Sequence, residues 1–265
     1  MKLKGGYDLN FYPLKDLKRV RIVRRAGQYF VQFCIDTDRN EPKTNTGKAI
    51  GIDVGLKEFY TDSNGETVAN PRFLRQSEER LKLVQKRLSK KRKGSANQRK
   101  TRQKIARQHL RISRQRQDWV TKLARCVAQS NDLVAYEDLQ VRNMMRNHCL
   151  AKSIGDASWY EFRVKLEYFG QVFGTKMVAV APHGTSLECS ACGEIVAKSL
   201  SIRTHVCQCG CVMDRDENAA VNILRKALGV VGHTIVSSES RASVKASGDE
   251  NLCIVGASLR GKFSL

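Results

Sequence analysis

Two sets of residues in this chain have the types and spacing that chemistry demands. The first is a run of thiols. Cys189-x-x-Cys192 and Cys207-x-Cys209 are paired cysteines separated by 14 residues, close to the layout of a four-thiolate metal site. In each pair the second cysteine precedes a glycine, Gly193 or Gly210. Amides that fold under a thiolate need a tight turn, and glycine takes the positive φ of that turn cheaply. The parallel favours Cys209 as fourth ligand, although Cys207-x-x-x-Cys211 has the commoner spacing, and both assignments stand at this point. Zn²⁺ is the expected occupant. An iron–sulfur cluster takes the same four thiolates, so spacing alone leaves it open.

The second set is three acids, each at the end of an expected element. Residues 49–53 (AIGID) and 132–137 (DLVAYE) read as short apolar strands ending in Asp53 and Glu137, and Asp216 enters an amphipathic helix expected over 217–228. An acid after a buried strand and before a hairpin opens both RNase H-like and actin-like domains, so Asp53 alone decides little. Three together are the inventory of a two-metal phosphodiesterase. Two hard divalent ions, Mg²⁺ by expectation, need bridging carboxylates, one ion activating water and the other stabilising the leaving oxygen. Asp138 and Asp214 are rivals within two residues of these positions. Alternation turns only one of each pair inward.

The rest of the chain must position these groups. It has 265 residues, 41% of them hydrophobic, with a formal charge of +21. That is enough for a sizeable core, and the charge points to a polyphosphate partner. No apolar run approaches membrane length, the first residues lack a signal-peptide core, and thiols in metal-like spacing suit a reducing compartment. A cytoplasmic, nucleoid-associated protein with no membrane partner is expected.

Alternation predicts a β-hairpin over 20–35, a polar linker over 36–48 and a second hairpin over 56–69 around an Asn-Gly turn. Residues 77–126 read as two long helices broken near 93–97. Between 80 and 117 they carry 16 Lys/Arg and no Asp or Glu. Without acidic i,i+4 partners the run reads as a phosphate grip, which holds a backbone and reads no bases. The residues expected to make it are Lys86, Arg87, Lys90, Lys91, Arg92, Lys93, Arg99, Lys100, Arg102, Lys104, Arg107 and Arg111. Residues 141–145 read as a polar loop, 157–170 as a helix, 176–182 as a buried strand and 229–265 as a poorly ordered tail.

The segments GIDVGLKEFYTDSNGE, VAYEDLQVRNM, TSLECSACG and CGCVMDRDENAAVNIL resemble the successive signatures of the OrfB/TnpB family of insertion-sequence transposon proteins. These are RuvC-like, RNA-guided DNA endonucleases related to type V CRISPR effectors. The resemblance covers roughly residues 20–228. It implies an α/β chain: an RNase H/RuvC-like fold with an inserted zinc ribbon and a long basic helical hairpin, preceded by part of a β-barrel. The implied boundaries are barrel segment and linker 1–47, nuclease domain 48–185 with its helical hairpin 77–126, ribbon 186–213, end of the nuclease domain 214–228 and tail 229–265. By the same resemblance Asp53, Glu137 and Asp216 are the catalytic, Mg²⁺-binding acids, and Cys189, Cys192, Cys207 and Cys209 bind zinc. The implied partners are DNA and a guide RNA from the transposon end. The second knuckle is one residue shorter than the family's, and most of the family's barrel and helical recognition lobe has no counterpart. An N-terminally truncated copy is therefore expected, with a cleavage-inactive, zinc-ribbon nucleic-acid-binding remnant as the alternative.

Overall fold

A computed structural model describes residues 11–199, 202–237 and 257–259. Its elements open with β1 (Leu17–Arg25), β2 (Gln28–Ile35), β3 (Ala49–Val54), β4 (Glu58–Asp62) and β5 (Thr67–Ala69). Then come α1 (Phe73–Ser89), α2 (Ala96–Ser130), β6 (Leu133–Glu137), α3 (Val141–Met144), α4 (Ala151–Ala157) and α5 (Trp159–Phe173). The chain continues through β7 (Lys176–Val180), β8 (Thr204–Val206), β9 (Val212–Asp214), α6 (Arg215–Ser237) and β10 (Ala257–Leu259). Two compact units share these elements. Among the described residues, one takes 11–39, 76–114 and 257–259, and the other takes 40–75, 115–199 and 202–237.

In the first unit β1 and β2 form the expected hairpin, with Arg25 opposite Gln28. Its turn has positive φ at both Ala26 (52°) and Gly27 (73°), the handedness that matches strands of right-handed twist. β10 pairs with the other edge of β2, so β2 is central and buries Phe30, Val31 and Ile35. β1 is an edge strand, and its Lys18, Arg19, Arg21, Arg24 and Arg25 protect it from unwanted pairing. The helical break falls at residues 90–95, where Gly94 has φ +81°. Ser95 starts α2 as its side chain accepts from the Gln98 amide at 3.1 Å, while Gln98 Oε1 accepts from the Gly94 amide at 2.8 Å, a close variant of the capping box.

The second unit is built on a mixed sheet of order β5-β4-β3-β6-β7. β3, β6 and β7 run parallel, while β4 pairs antiparallel with β3 on one side and, through the Asn64-Gly65 turn, with β5 on the other. β6 is buried on both faces, as an inner parallel strand must be. Val134 and Tyr136 join a large core with Phe59, the C-terminal half of α2 and α5. Phe59 sits edge-on to Trp119 and Phe162, centroids 4.6 and 5.1 Å away. Leu133 and Ala135 point the other way, to Ile223 and Ala227 of α6. The linker 36–48 has no regular element, yet Lys43 fixes it by donating to the carbonyls of Ala128, Gln129 and Asn131 at the end of α2, where a cation suits the helix dipole.

Three expectations need correction. Residues 141–144, read as loop, form a short helix, and α4 precedes α5 with Ser158 at φ 61° between them. α6 runs nine residues past the expected Leu228, to Ser237. Val231 packs against the α6 side of the sheet, an apolar anchor that outweighs Gly229. Apart from 229–237 and β10, the expected poorly ordered tail lies outside the described residues.

Candidate active site

Parallel pairing sets the first two acids side by side. Ile52 is in register with Tyr136, so Asp53 and Glu137 occupy the next rung, at the C-terminal ends of neighbouring strands. Alternation gives them the face of Gly51 and Ala135. That face receives α6 very closely. A Cβ on Gly51 would lie 2.1 Å from the carbonyl oxygen of Ala220 and 2.8 Å from the Leu224 amide. Asp216 is one helical turn before Ala220, ~6 Å back along α6. Going from Gly51 to Asp53 and from Ala220 to Asp216 thus leads to the same place. Gly51→Ala should push α6 away and cost ~1–3 kcal/mol by overpacking, read as a lower denaturation midpoint.

The electrostatics record the convergence. Burial raises the Asp53 pKa well above the ordinary range, and the negative charges of Glu137 and Asp216 raise it further, against Arg215 and Arg203. Burial also raises Glu137, opposed by the Thr185 hydroxyl and by Lys226. Thr185 Oγ1 donates to Glu137 Oε1 at 2.6 Å. Asp216 is held by Arg203 Nη1 at 3.1 Å and Arg215 Nε at 3.4 Å. The rivals have other work. Asp214 Oδ1 accepts the Asp216 amide at 2.8 Å and caps α6, and Asp138 pairs with Arg163.

Sequence reasoning missed Arg203, Thr185 and two fully buried asparagines on α6. Asn222 donates to the carbonyls of Thr185 and Glu188 at 2.9 and 2.7 Å. Asn218 donates to the Glu188 carbonyl at 2.8 Å and accepts from the Ser190 amide at 2.9 Å. Together they fasten residues 185–190 to α6 and keep Thr185 over Glu137. They share their side of α6 with Arg215, Arg225 and Lys226, so helical periodicity marks them as surface residues and gives no signal of their burial.

The thiols form a second centre. The sulfurs of Cys189, Cys192, Cys207 and Cys209 all lie within 4.8 Å of one another. Among the described residues this is the one group of three or more metal-ligating side chains drawn so close; the three acids are not gathered as tightly. Cys189–Cys209 and Cys192–Cys207 are 3.7 and 3.6 Å apart, near the ~3.8 Å edge of a tetrahedron with Zn–S bonds of ~2.3 Å. Gly193 and Gly210 take φ of 83° and 89°, closing knuckles in which their amides bond the Cys189 and Cys207 carbonyls. The Cys192 amide, with Ala191 and His205, brings the Cys189 thiol down to about 5 against burial, while against the Glu194 amide the neighbouring Cys209 and Cys207 thiols push Cys192 up to about 12. Cys211 is not in the group; its carbonyl accepts the Cys207 amide at 2.9 Å.

All twelve basic residues expected to grip phosphate are exposed. Two others from the same run serve the fold: Arg114 stacks 4.4 Å over the Phe30 ring, and Arg116 bonds the Gly155 carbonyl. No helix among the described residues is long and apolar enough to cross a membrane.

Two family descriptions match the chain: OrfB_IS605, "Probable transposase", over residues 32–148, and the Cas12f1-like TNB domain over 159–223. A Streptomyces pristinaespiralis protein named "Putative RNA-guided DNA endonuclease" is 40% identical over 231 residues, 83% of this chain and 57% of that protein. "Putative RNA-guided DNA endonuclease InsQ" of Escherichia coli K12 is 28% identical over 237 residues, 83% of this chain and 58% of its own. "Putative transposase R186" of Acanthamoeba polyphaga mimivirus is 29% identical over 253 residues, covering 84% and 50%. The chain thus spans between half and three fifths of the length of these relatives.

Proposed function

We propose that this chain, which belongs to the OrfB/TnpB family of transposon-encoded proteins, carries the catalytic core of an RNA-guided DNA endonuclease. The observation that carries the reading is the meeting of Asp53, Glu137 and Asp216 at the ends of two parallel strands and a helix, each of the latter two raising the pKa of the first. A mixed five-stranded sheet in which β4 alone runs against the other four strands, with acids at its centre and helices on both faces, supports an RNase H/RuvC-like fold for 48–185 and 214–228. We assign 186–213 to an inserted zinc ribbon and 1–47 to a barrel segment and linker.

The donor sets fit the ions the family implies. Four thiolates at tetrahedral spacing suit Zn²⁺, which would hold the two knuckles together. Three crowded carboxylates suit Mg²⁺, because Asp53 ionises against burial and two like charges, the deficit that hard divalent cations fill. Bound Mg²⁺ would supply activated water and charge stabilisation on the leaving oxygen. The chain does the positioning. Thr185 fixes one Glu137 oxygen, Asp214 fixes the start of α6, and Arg203 brings a cation from the ribbon to Asp216, where a phosphodiester's negative charge would also meet it.

The basic helices are the proposed grip on guide RNA and DNA. Replacing Lys90, Lys91, Arg92 and Lys93 together by alanine should weaken binding and flatten its log-affinity against log-salt slope, by about 0.9 for each duplex phosphate that is no longer neutralised. An unchanged slope would make the run a solvated face. The function is tested by Mg²⁺-dependent cleavage of DNA programmed by a guide from the transposon end. Loss of cleavage on removing the guide or the ion is the expected result, and guide-independent nicking would overturn it.

A further inference from the structure

A cavity of about 360 Å³ opens in the second unit at the turn that follows β3, the strand carrying Asp53. Its walls include Lys57 from the β3–β4 turn, Arg72 and Arg75 at the start of α1, and Lys152 and Ser153 of α4. Four cations line it against one carboxylate, Asp156, and that carboxylate is buried and committed. It accepts from the Leu74 amide at 2.9 and 3.1 Å and from the Arg75 amide at 3.3 Å. The lining is therefore strongly net positive.

The pocket is also built rather than incidental. Arg72 is held at φ 50°, a conformation that costs a non-glycine residue ~1–3 kcal/mol and persists only where its surroundings impose it. Its guanidinium donates to the carbonyls of Leu56 and Lys57, both at 3.1 Å, and its amide bonds Asn70 Oδ1 at 3.2 Å. Asn70 in turn donates to the Leu56 carbonyl at 3.2 Å. The rim is thus tied to the turn that begins two residues after Asp53. Lys57 follows Asp53 by four residues, a reach of at most ~14 Å, about four nucleotides at ~3.4 Å each.

We propose that this pocket seats one backbone phosphate of the nucleic-acid strand that enters the acid site, fixing the strand a few nucleotides from the scissile bond. The proposal rests on the nucleic-acid reading above and adds a binding site separate from the α1–α2 basic run. Lys57 and Arg75 supply the exposed charges; Arg72 and Asp156 hold the frame.

The test is salt-titrated binding of a labelled single-stranded DNA to the full chain and to Lys57→Gln/Arg75→Gln, with Ser153→Glu as an independent variant that puts an anion at the mouth. Losing one phosphate should flatten the salt slope by about 0.7 and weaken binding about fivefold near 0.1 M salt, with the thermal midpoint unchanged. The same loss in Arg146→Gln/Lys176→Gln, two exposed cations elsewhere, would mean diffuse charge and overturn the seat. Pocket variants that bind as wild type, while the Lys90–Lys93 alanine variant weakens, would overturn the seat and leave the nucleic-acid reading standing. A wild-type chain that binds no DNA or RNA would fail that reading itself. Inorganic phosphate provides the remaining arm, followed by ³¹P line broadening: broadening lost in the variants with DNA affinity unchanged would make this a free-anion pocket and overturn the proposal.

Discussion

Asp53→Asn should abolish guided, Mg²⁺-dependent cleavage while making the metal-free protein more stable. The loss of activity should reach at least ~10²–10³-fold, the scale of removing one preorganised electrostatic contact. Asparagine keeps the size and shape of the side chain, so nucleic-acid affinity should barely change. The gain in stability follows from the direction of the shift. Folding raises the Asp53 pKa through burial and the charges of Glu137 and Asp216, so the folded chain holds this proton more tightly than the unfolded one. Ionisation therefore costs stability at neutral pH. Stability should rise as pH falls through the raised pKa, and the gain should level off below the unfolded value of ~3.9. In the variant that dependence should shrink, which urea midpoints at pH 7 and pH 5 in chelator would reveal. A variant that lost cleavage and stability together would point to a structural role for Asp53 instead.

Much of this arrangement was legible in the sequence because it follows from local rules. Apolar runs ending in acids become parallel strands whose ends coincide, and Asn64-Gly65 closes a hairpin as its backbone preference dictates. The glycines after Cys192 and Cys209 take the positive φ that a knuckle needs, which is why they favour Cys209 over Cys211 without settling the choice. What the sequence hid depends on contacts between distant segments. Arg203 has nothing nearby to mark it, since its partner Asp216 is 13 residues on. Gly51 reads as a strand glycine until α6 is laid against it. Asn218 and Asn222 look like helix-surface residues, and only the carbonyls of 185–188 explain their burial. The length of α6 was missed for the same reason: Gly229 is a helix breaker by propensity, and the packing of Val231 overrides it.

Removing zinc should loosen the ribbon and silence the acid site with it. A structural four-thiolate site binds with an apparent ~10–16 kcal/mol near neutral pH, and here that energy would close two knuckles whose own hydrogen-bonded strands, β8 and β9, are three residues each. So short a sheet is marginal without help. About one Zn²⁺ per chain is expected, and its removal by a strong chelator should speed amide exchange across 186–214 far more than in β3 or β6. Cys209→Ser should lose the metal, while Cys211→Ser should keep it, because only Cys209 places its sulfur with the other three. The reverse outcome would move the fourth ligand to Cys211, and a metal-free chain with unchanged exchange would remove the ribbon from the reading. Cleavage should fall in step with zinc content even though the thiols touch none of the acids. The ribbon carries Arg203 to Asp216 at 3.1 Å and, through Ser190 and Asn218, is sewn to the helix that presents that acid. An Arg203→Lys variant separates the two effects: it should keep zinc and slow exchange, yet lose the guanidinium that spans both Asp216 oxygens, so that activity drops with the ribbon intact.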